Sequence, residues 1–178
     1  MPEQNIAPWS KAAHYEWRKS RWLLVSVLVI ALDQLSKWWV VGTFYHGEVR
    51  PVTSFFSLIL TFNTGAAFSF LAGAGGWQRS FFAIVSVVAC LVFAWLLLRS
   101  GSRWFSLGLA LIIGGALGNL WDRIALGKVT DFLLFHYQQW SYPAFNIADS
   151  AITVGAALLI VDGLRQRKRA VYEDDDRR

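Results

Sequence analysis

The chain has 178 residues, 55% hydrophobic and 16% charged, with a positive mean hydropathy of +0.39. So few charges cannot clothe a soluble globule of this size, and the composition describes a small integral membrane protein of one domain. The net charge of +5 does not signal nucleic acid, because the basic residues gather between apolar runs; lone Cys90 excludes an intrachain disulfide, and His14, His46 and His136 lack metal-ligand spacing.

The apolar runs predict four membrane-spanning helices, each close to the ~20 residues that cross hydrocarbon. The first covers about 22–41. A basic flank before an apolar run is also the pattern of a cleavable signal peptide. This run contains Asp33, Gln34 and Lys37 and is followed by no clear small-x-small site, so it reads as an uncleaved span. The connection over about 42–80 is long. Its stretch 52–62 is rich in β-branched and aromatic residues and predicts strand, before Gly65, Gly73, Gly75 and Gly76 break the pattern. A small extracytoplasmic β platform is therefore expected between spans one and two. The second span covers about 81–98, which Trp77 could extend, and the third about 105–124. In the third, Gly114-x-x-x-Gly118 lets helices approach closely, a packing device to which no chemistry is assigned. The fourth covers about 147–164. The remaining tail, 165–178, is basic and then acidic from Glu173 to Asp176, a composition expected to be solvated and disordered.

Lysine and arginine set the expected orientation. Lys11, Arg18, Lys19 and Arg21 precede span one, Arg99 and Arg103 separate spans two and three, and Arg165, Arg167, Lys168, Arg169, Arg177 and Arg178 follow span four. The other connections hold only Arg50, Arg79 and Lys128, with Arg123 at the border. The richer side is expected to be cytoplasmic, which puts both termini inside and Asp131 and Asp149 toward the outer face.

Those two aspartates are the main chemical candidates. A carboxylate within hydrocarbon costs about 2.5–3.5 kcal/mol at a helix centre, so it is kept where it is paired or does chemistry. Asp131 follows span three and Asp149 opens span four; a tight helical hairpin could join them. Two adjacent carboxylates share a proton, so one can activate water while the other bonds the scissile carbonyl. Such a pair is expected to titrate jointly. The plainer alternative makes Asn146 and Asp149 an N-cap with its acidic third residue, and Asp131 a loop residue. Asn119 and Arg123 are four apart and share a helix face. Arg123 can orient a carboxylate, meet a lipid phosphate or simply anchor the interface. Asp33 and Lys37, also four apart, fit an intrahelical ion pair with a structural role. Asn63 reads as a turn residue or as an amide that holds substrate backbone. Trp38, Trp39, Trp77 and Trp140 read as interface anchors. No serine has an evident histidine or lysine partner for nucleophilic catalysis.

Five stretches together resemble the motifs of the lipoprotein signal peptidase family, signal peptidase II. They are Asp33-Gln34-Leu35-Ser36-Lys37, Asn63-Thr64-Gly65-Ala66-Ala67-Phe68-Ser69, Gly114-Gly115-Ala116-Leu117-Gly118-Asn119-Leu120-Trp121-Asp122-Arg123, Val129-Thr130-Asp131-Phe132 and Phe145-Asn146-Ile147-Ala148-Asp149-Ser150. They stand in the family's order and span Ala31 to Leu164. The resemblance implies a bacterial inner-membrane aspartyl endopeptidase that removes signal peptides from diacylglyceryl-modified prolipoproteins, cutting just before the lipidated cysteine. It implies Asp131 and Asp149 as the catalytic dyad. Asn63, Asn119, Arg123 and Asn146 would line the site or contact substrate and globomycin-type inhibitors, and Asp33 and Lys37 would support the fold beside it. It implies no metal and no cofactor, membrane lipid as surroundings, and a site at the outer boundary, where the platform could clamp substrate. Thr130 departs from the aliphatic residue common in the family before its aspartate. Two rivals remain at this stage. A proton-coupled carrier would spread charge through membrane depth, whereas the acids here gather at one face apart from Asp162. A structural subunit would use its aspartates only to cap and pair.

Overall fold

The computed structural model describes residues 21–65 and 75–175, with side chains as far as 167. Residues 66–69 of the second motif, Gly73, the basic residues Lys11, Arg18 and Lys19, and residues 176–178 lie outside the described residues. Four long apolar helices are present: α1 (Leu23–Thr43), α2 (Trp77–Arg99), α3 (Arg103–Ala125) and α4 (Ile147–Asp175), each able to cross a membrane by length and composition. A four-stranded antiparallel sheet accompanies them, ordered β1 (Val49–Pro51), β2 (Phe56–Asn63), β3 (Val129–Tyr137), β4 (Trp140–Ser141).

Helix α1 shows an inverted amphipathic pattern. In α1 the buried residues Ser26, Val29, Asp33, Lys37 and Val40 recur at helical spacing and are mostly polar, whereas Leu24, Val27, Leu28, Leu32, Leu35 and Trp38 are exposed. A helix in water buries its apolar stripe; one in lipid can turn that stripe outward and keep its polar groups for its neighbours. The interface candidates Trp39, Trp77 and Trp140 are likewise exposed. The central helix is α3, which packs on α1, α2 and α4 and is the most enclosed of the spans. Its glycines allow that position. A Cβ at Gly114 would stand 2.8 Å from the Ser26 carbonyl oxygen of α1, and one at Gly108 2.8 Å from the Gly155 carbonyl oxygen of α4. The glycines of α3, Gly114 of the packing motif among them, therefore form a seam on two sides of one helix.

Two features depart from the sequence pattern. The sheet does not lie wholly between spans one and two, because β3 and β4 come from the connection after α3. Asp131 consequently sits on a strand rather than in a loop or at a helix hairpin. The run Val129–Tyr137 is rich in branched and aromatic residues, as strands are. The second helix starts at Trp77, the extension of the 81–98 span that the sequence allowed. Finally, α4 runs on to Asp175, where a disordered tail is expected. Arginine, lysine, glutamine and alanine dominate that stretch, and all propagate a helix already nucleated in the bundle.

The two faces of the sheet do different jobs. Leu60 and Phe132 pack with Val40 and Phe44 at the end of α1. Thr61, Asn63, Val129 and Asp131 face the cavity described next, and the register pairs Thr61 with Asp131 and Asn63 with Val129. The side-chain alternation of a strand thus puts Asp131 on the opposite face from the sheet's apolar anchor.

Candidate active site

A cavity of about 730 Å³ opens between α2 and α4 and ends on both aspartates. Phe82, Val85 and Ser86 of α2 form one wall, and Ile152, Thr153 and Val154 of α4 the other. Asp131, Asp149, Asn63, Asn119 and Arg123 all line it. The structure thus brings five candidates from sequence to one surface, on four different elements. The sixth, Asn146, is fully buried behind the pair.

Asn146 is the hinge between the aspartates. Its Nδ2 donates to Asp131 Oδ1 at 2.7 Å and to the Thr130 carbonyl at 3.2 Å. Its backbone N–H donates to Asp149 Oδ2 at 3.3 Å, while its Oδ1 accepts from the Asp149 N–H at 2.9 Å. The last two bonds are a reciprocal cap on the first turn of α4. The capping alternative is therefore realised, and it holds Asp149 at the cavity instead of competing with a chemical role. The other Asp149 oxygen accepts from Asn119 Nδ2 at 2.7 Å.

Behind these groups lies a closed polar cluster. Lys37 Nζ lies 2.7 Å from Asp33, 3.1 Å from Asp122 and 3.0 Å from Asn119 Oδ1. Asn119 Oδ1 also accepts from Asn146 Nδ2 at 3.2 Å. With two donors fixed on its oxygen, the Asn119 amide must turn its NH₂ toward Asp149. Asp33, fully buried, accepts the Ala148 N–H at 2.9 Å and so ties α1 to the start of α4. Gly118 makes that reach possible, since a Cβ there would stand 2.8 Å from Asp33 Oδ2. The Asp33–Lys37 pair is thus more than an intrahelical bridge: removing Lys37 alone would strand two buried carboxylates, a costly outcome in low dielectric.

Sequence reasoning passed over Asp122 and Gln34. Asp122 accepts the Thr130 N–H at 3.0 Å and Gln34 Nε2 at 3.0 Å, which fastens the start of β3 beside Asp131. Its signal was its place three residues after Asn119 on the same helix face. Ser57 and His136 were also unpaired in sequence, yet β2 and β3 bring Ser57 Oγ within 2.8 Å of His136 Nε2. Ser57 is buried at 1% exposure and does not line the cavity, so the contact fastens the two strands and offers no nucleophile.

Burial, then the neighbouring Asp149 charge, pushes Asp131 from the usual carboxylate value of 3.8 up to about 7. Hydrogen bonds from Asn146 and Asn63 and the charge of Lys37 pull the other way and are outweighed. A protonated carboxyl and a carboxylate in one apolar cleft can act on water and carbonyl together. Among the described residues, every buried side-chain nitrogen and oxygen has a hydrogen-bond partner, so the cluster is preorganised.

Comparison with known proteins follows the same geometry. The family model described as signal peptidase (SPase) II matches residues 25–165. The chain is 55% identical over 149 residues to a "Lipoprotein signal peptidase" of Ralstonia nicotianae, covering 83% of this chain and 86% of the relative. It is 58% identical over 146 residues to a protein of the same name from Paraburkholderia phytofirmans, covering 82% and 85%. A solved structure described as a bacterial membrane enzyme superposes with a TM-score of 0.77 at 28% identity, over 84% of this chain and 91% of that one. A second of the same description gives 0.72 at 29% identity, over 82% and 93%.

Proposed function

The chain belongs to the signal peptidase II family and is a multi-pass membrane peptidase; on that premise we propose that Asp131 and Asp149 are its catalytic pair and that it removes signal peptides from diacylglyceryl-modified prolipoproteins just before the lipidated cysteine. The observation that carries this reading is the convergence of both carboxylates, from β3 and α4, on one largely apolar cleft that opens between two membrane helices. A substrate that is itself a membrane helix with two acyl chains is held in the bilayer, so lateral diffusion delivers it to such a cleft.

In this mechanism Asp149 is the base and Asp131 the acid. Both Asp149 oxygens accept N–H bonds, the role of a carboxylate, from Asn119 and from the Asn146 backbone. Asp131, pushed up to about 7, is protonated in about half of the molecules at neutral pH, and that form offers its proton to the scissile carbonyl. Asp149 takes a proton from the attacking water; the tetrahedral intermediate collapses as a proton passes to the leaving amine. Asn63 and Arg123 reach the cavity from β2 and α3 and are suited to hold substrate backbone carbonyls. Asn119, Asn146, Lys37 and Asp33 hold the aspartates rather than the substrate.

The site lies toward the outer face of the bacterial inner membrane with both termini cytoplasmic, a reading that rests on the lysine and arginine asymmetry. Membrane lipid surrounds the cleft, and globomycin-type inhibitors would occupy it. The test is mass analysis of the products from purified protein and a diacylglyceryl-modified prolipoprotein. The expected product begins at the lipidated cysteine, and globomycin blocks its formation; a cut elsewhere, or no cut in a verified substrate, refutes the assignment.

A further inference from the structure

We propose that Arg79 is a positioning residue of this site: it latches the near end of α2 to the last turn of α3 and so sets the width of the cleft that a membrane-borne substrate enters. The inference rests on the reading of that cleft as the substrate site.

The Arg79 guanidinium, in the first turn of α2, donates from Nε to the Arg123 carbonyl at 2.8 Å and from Nη2 to the Ile124 carbonyl at 2.7 Å. Carbonyls in the last turn of α3 have no intrahelical donor, and a cation there complements the negative end of the helix. The fork geometry of a guanidinium serves two adjacent carbonyls at once. Gly127, at φ +74, leaves room for it, since a Cβ there would stand 3.2 Å from Arg79 Nη1. Arg123 completes the joint from the other helix. Its guanidinium carbon lies 5.5 Å from the Phe82 ring centroid of α2, while its nitrogens donate to the Gly65 and Asn119 carbonyls.

The wall that this joint holds has one main neighbour. The buried residues of α2 are Gln78, Cys90 and Leu97, and the helix packs chiefly on α3. Phe82, Val85 and Ser86, one to two turns beyond Arg79, face the cavity. Asp131, Asp149 and the groups that hold them stand on α1, α3, β2, β3, α4 and the residue before α4, none of them on α2. Releasing α2 should therefore alter how substrate is held without disturbing the proton-transfer groups. Arg79 is itself exposed at the rim, so its truncation leaves the core intact.

Turnover of a diacylglyceryl-modified prolipoprotein, measured over a series of substrate mole fractions in mixed micelles, separates these effects. Arg79→Ala is expected to raise KM about tenfold with kcat within about twofold of wild type, and Arg79→Lys, able to serve one carbonyl, falls between. An unchanged KM overturns the latch, as does a fall in kcat alone, which would make Arg79 a support for Arg123. A second measurement needs no turnover: the distance distribution between spin labels at Ile84→Cys on α2 and Trp121→Cys on α3, in a Cys90→Ala background. Arg79→Ala is expected to widen it, and an unaltered distribution overturns the proposal whatever the activity. Failure of the wild type to cut the substrate would strike the function reading instead.

Discussion

At the scale of single residues, Asp131 separates a catalytic from a structural role for the pair. Its carboxyl is raised from 3.8 to about 7 by burial and by Asp149, so the folded chain binds that proton more tightly than the unfolded chain. Stability from this group is full below about pH 4 and is lost as pH rises through about 7. Asp131→Asn, which stays neutral, is therefore expected to gain in thermal midpoint over wild type between about pH 5 and about pH 8 while losing turnover. A structural subunit predicts a variant that loses stability throughout. Catalysis carries the same signature: turnover is expected to fall about tenfold per pH unit above about pH 7, as the pair loses its shared proton. A rate flat from about pH 6 to about pH 9 would remove Asp131 as the acid. Both aspartates were legible in the sequence because a carboxylate beside a membrane span demands a reason. Asp122 and Gln34 were not, because nothing in sequence shows that α1 and the start of β3 meet at the end of α3.

At the scale of elements, the glycines of α3 do what a polar cluster cannot do alone. A Cβ at Gly115 would collide with the Ala148 carbonyl oxygen, and one at Gly118 would press on Asp33. The first contact is at the start of α4 and the second is with the α1 carboxylate that accepts the Ala148 N–H, so both bear on the turn where Asp149 is held. Gly115→Ala and Gly118→Ala are each expected to cost about 1–3 kcal/mol, measured as thermal or chemical unfolding in detergent. Gly118→Ala is also expected to lower kcat, because it pushes Asp33 off the Ala148 N–H. An alanine at 118 with full stability and turnover would show that Asp33 does not steer α4. The helices were readable from hydropathy, and β2 from its branched and aromatic residues. β3 escaped notice because its polar start, Val129-Thr130-Asp131, drew attention as a chemical motif rather than as a strand. The departure at Thr130 is absorbed by position, since its backbone N–H bonds Asp122 and its carbonyl accepts from Asn146.

At the scale of the molecule, four helices with apolar exteriors carry a sheet at one end, and the cleft between α2 and α4 joins the lipid-facing surface to the two acids. The helix count and the charge asymmetry were in the sequence; the cleft was not, because it depends on α2 and α4 both packing on α3 without closing on each other. Orientation is directly measurable. With Cys90 replaced by alanine, a cysteine at exposed Thr53 is expected to react with an impermeant thiol reagent from the periplasmic side, and one at exposed Gly101 only from the cytoplasmic side. The reverse labelling would invert the topology.

The central claim is that two carboxylates do the chemistry. The most direct measurement compares wild type, Asp131→Asn and Asp149→Asn for cleavage of one lipidated prolipoprotein, with the thermal midpoint of each recorded. The account predicts folded variants whose turnover is reduced at least about a thousandfold. Either variant cutting at near wild-type rate while folded would contradict it.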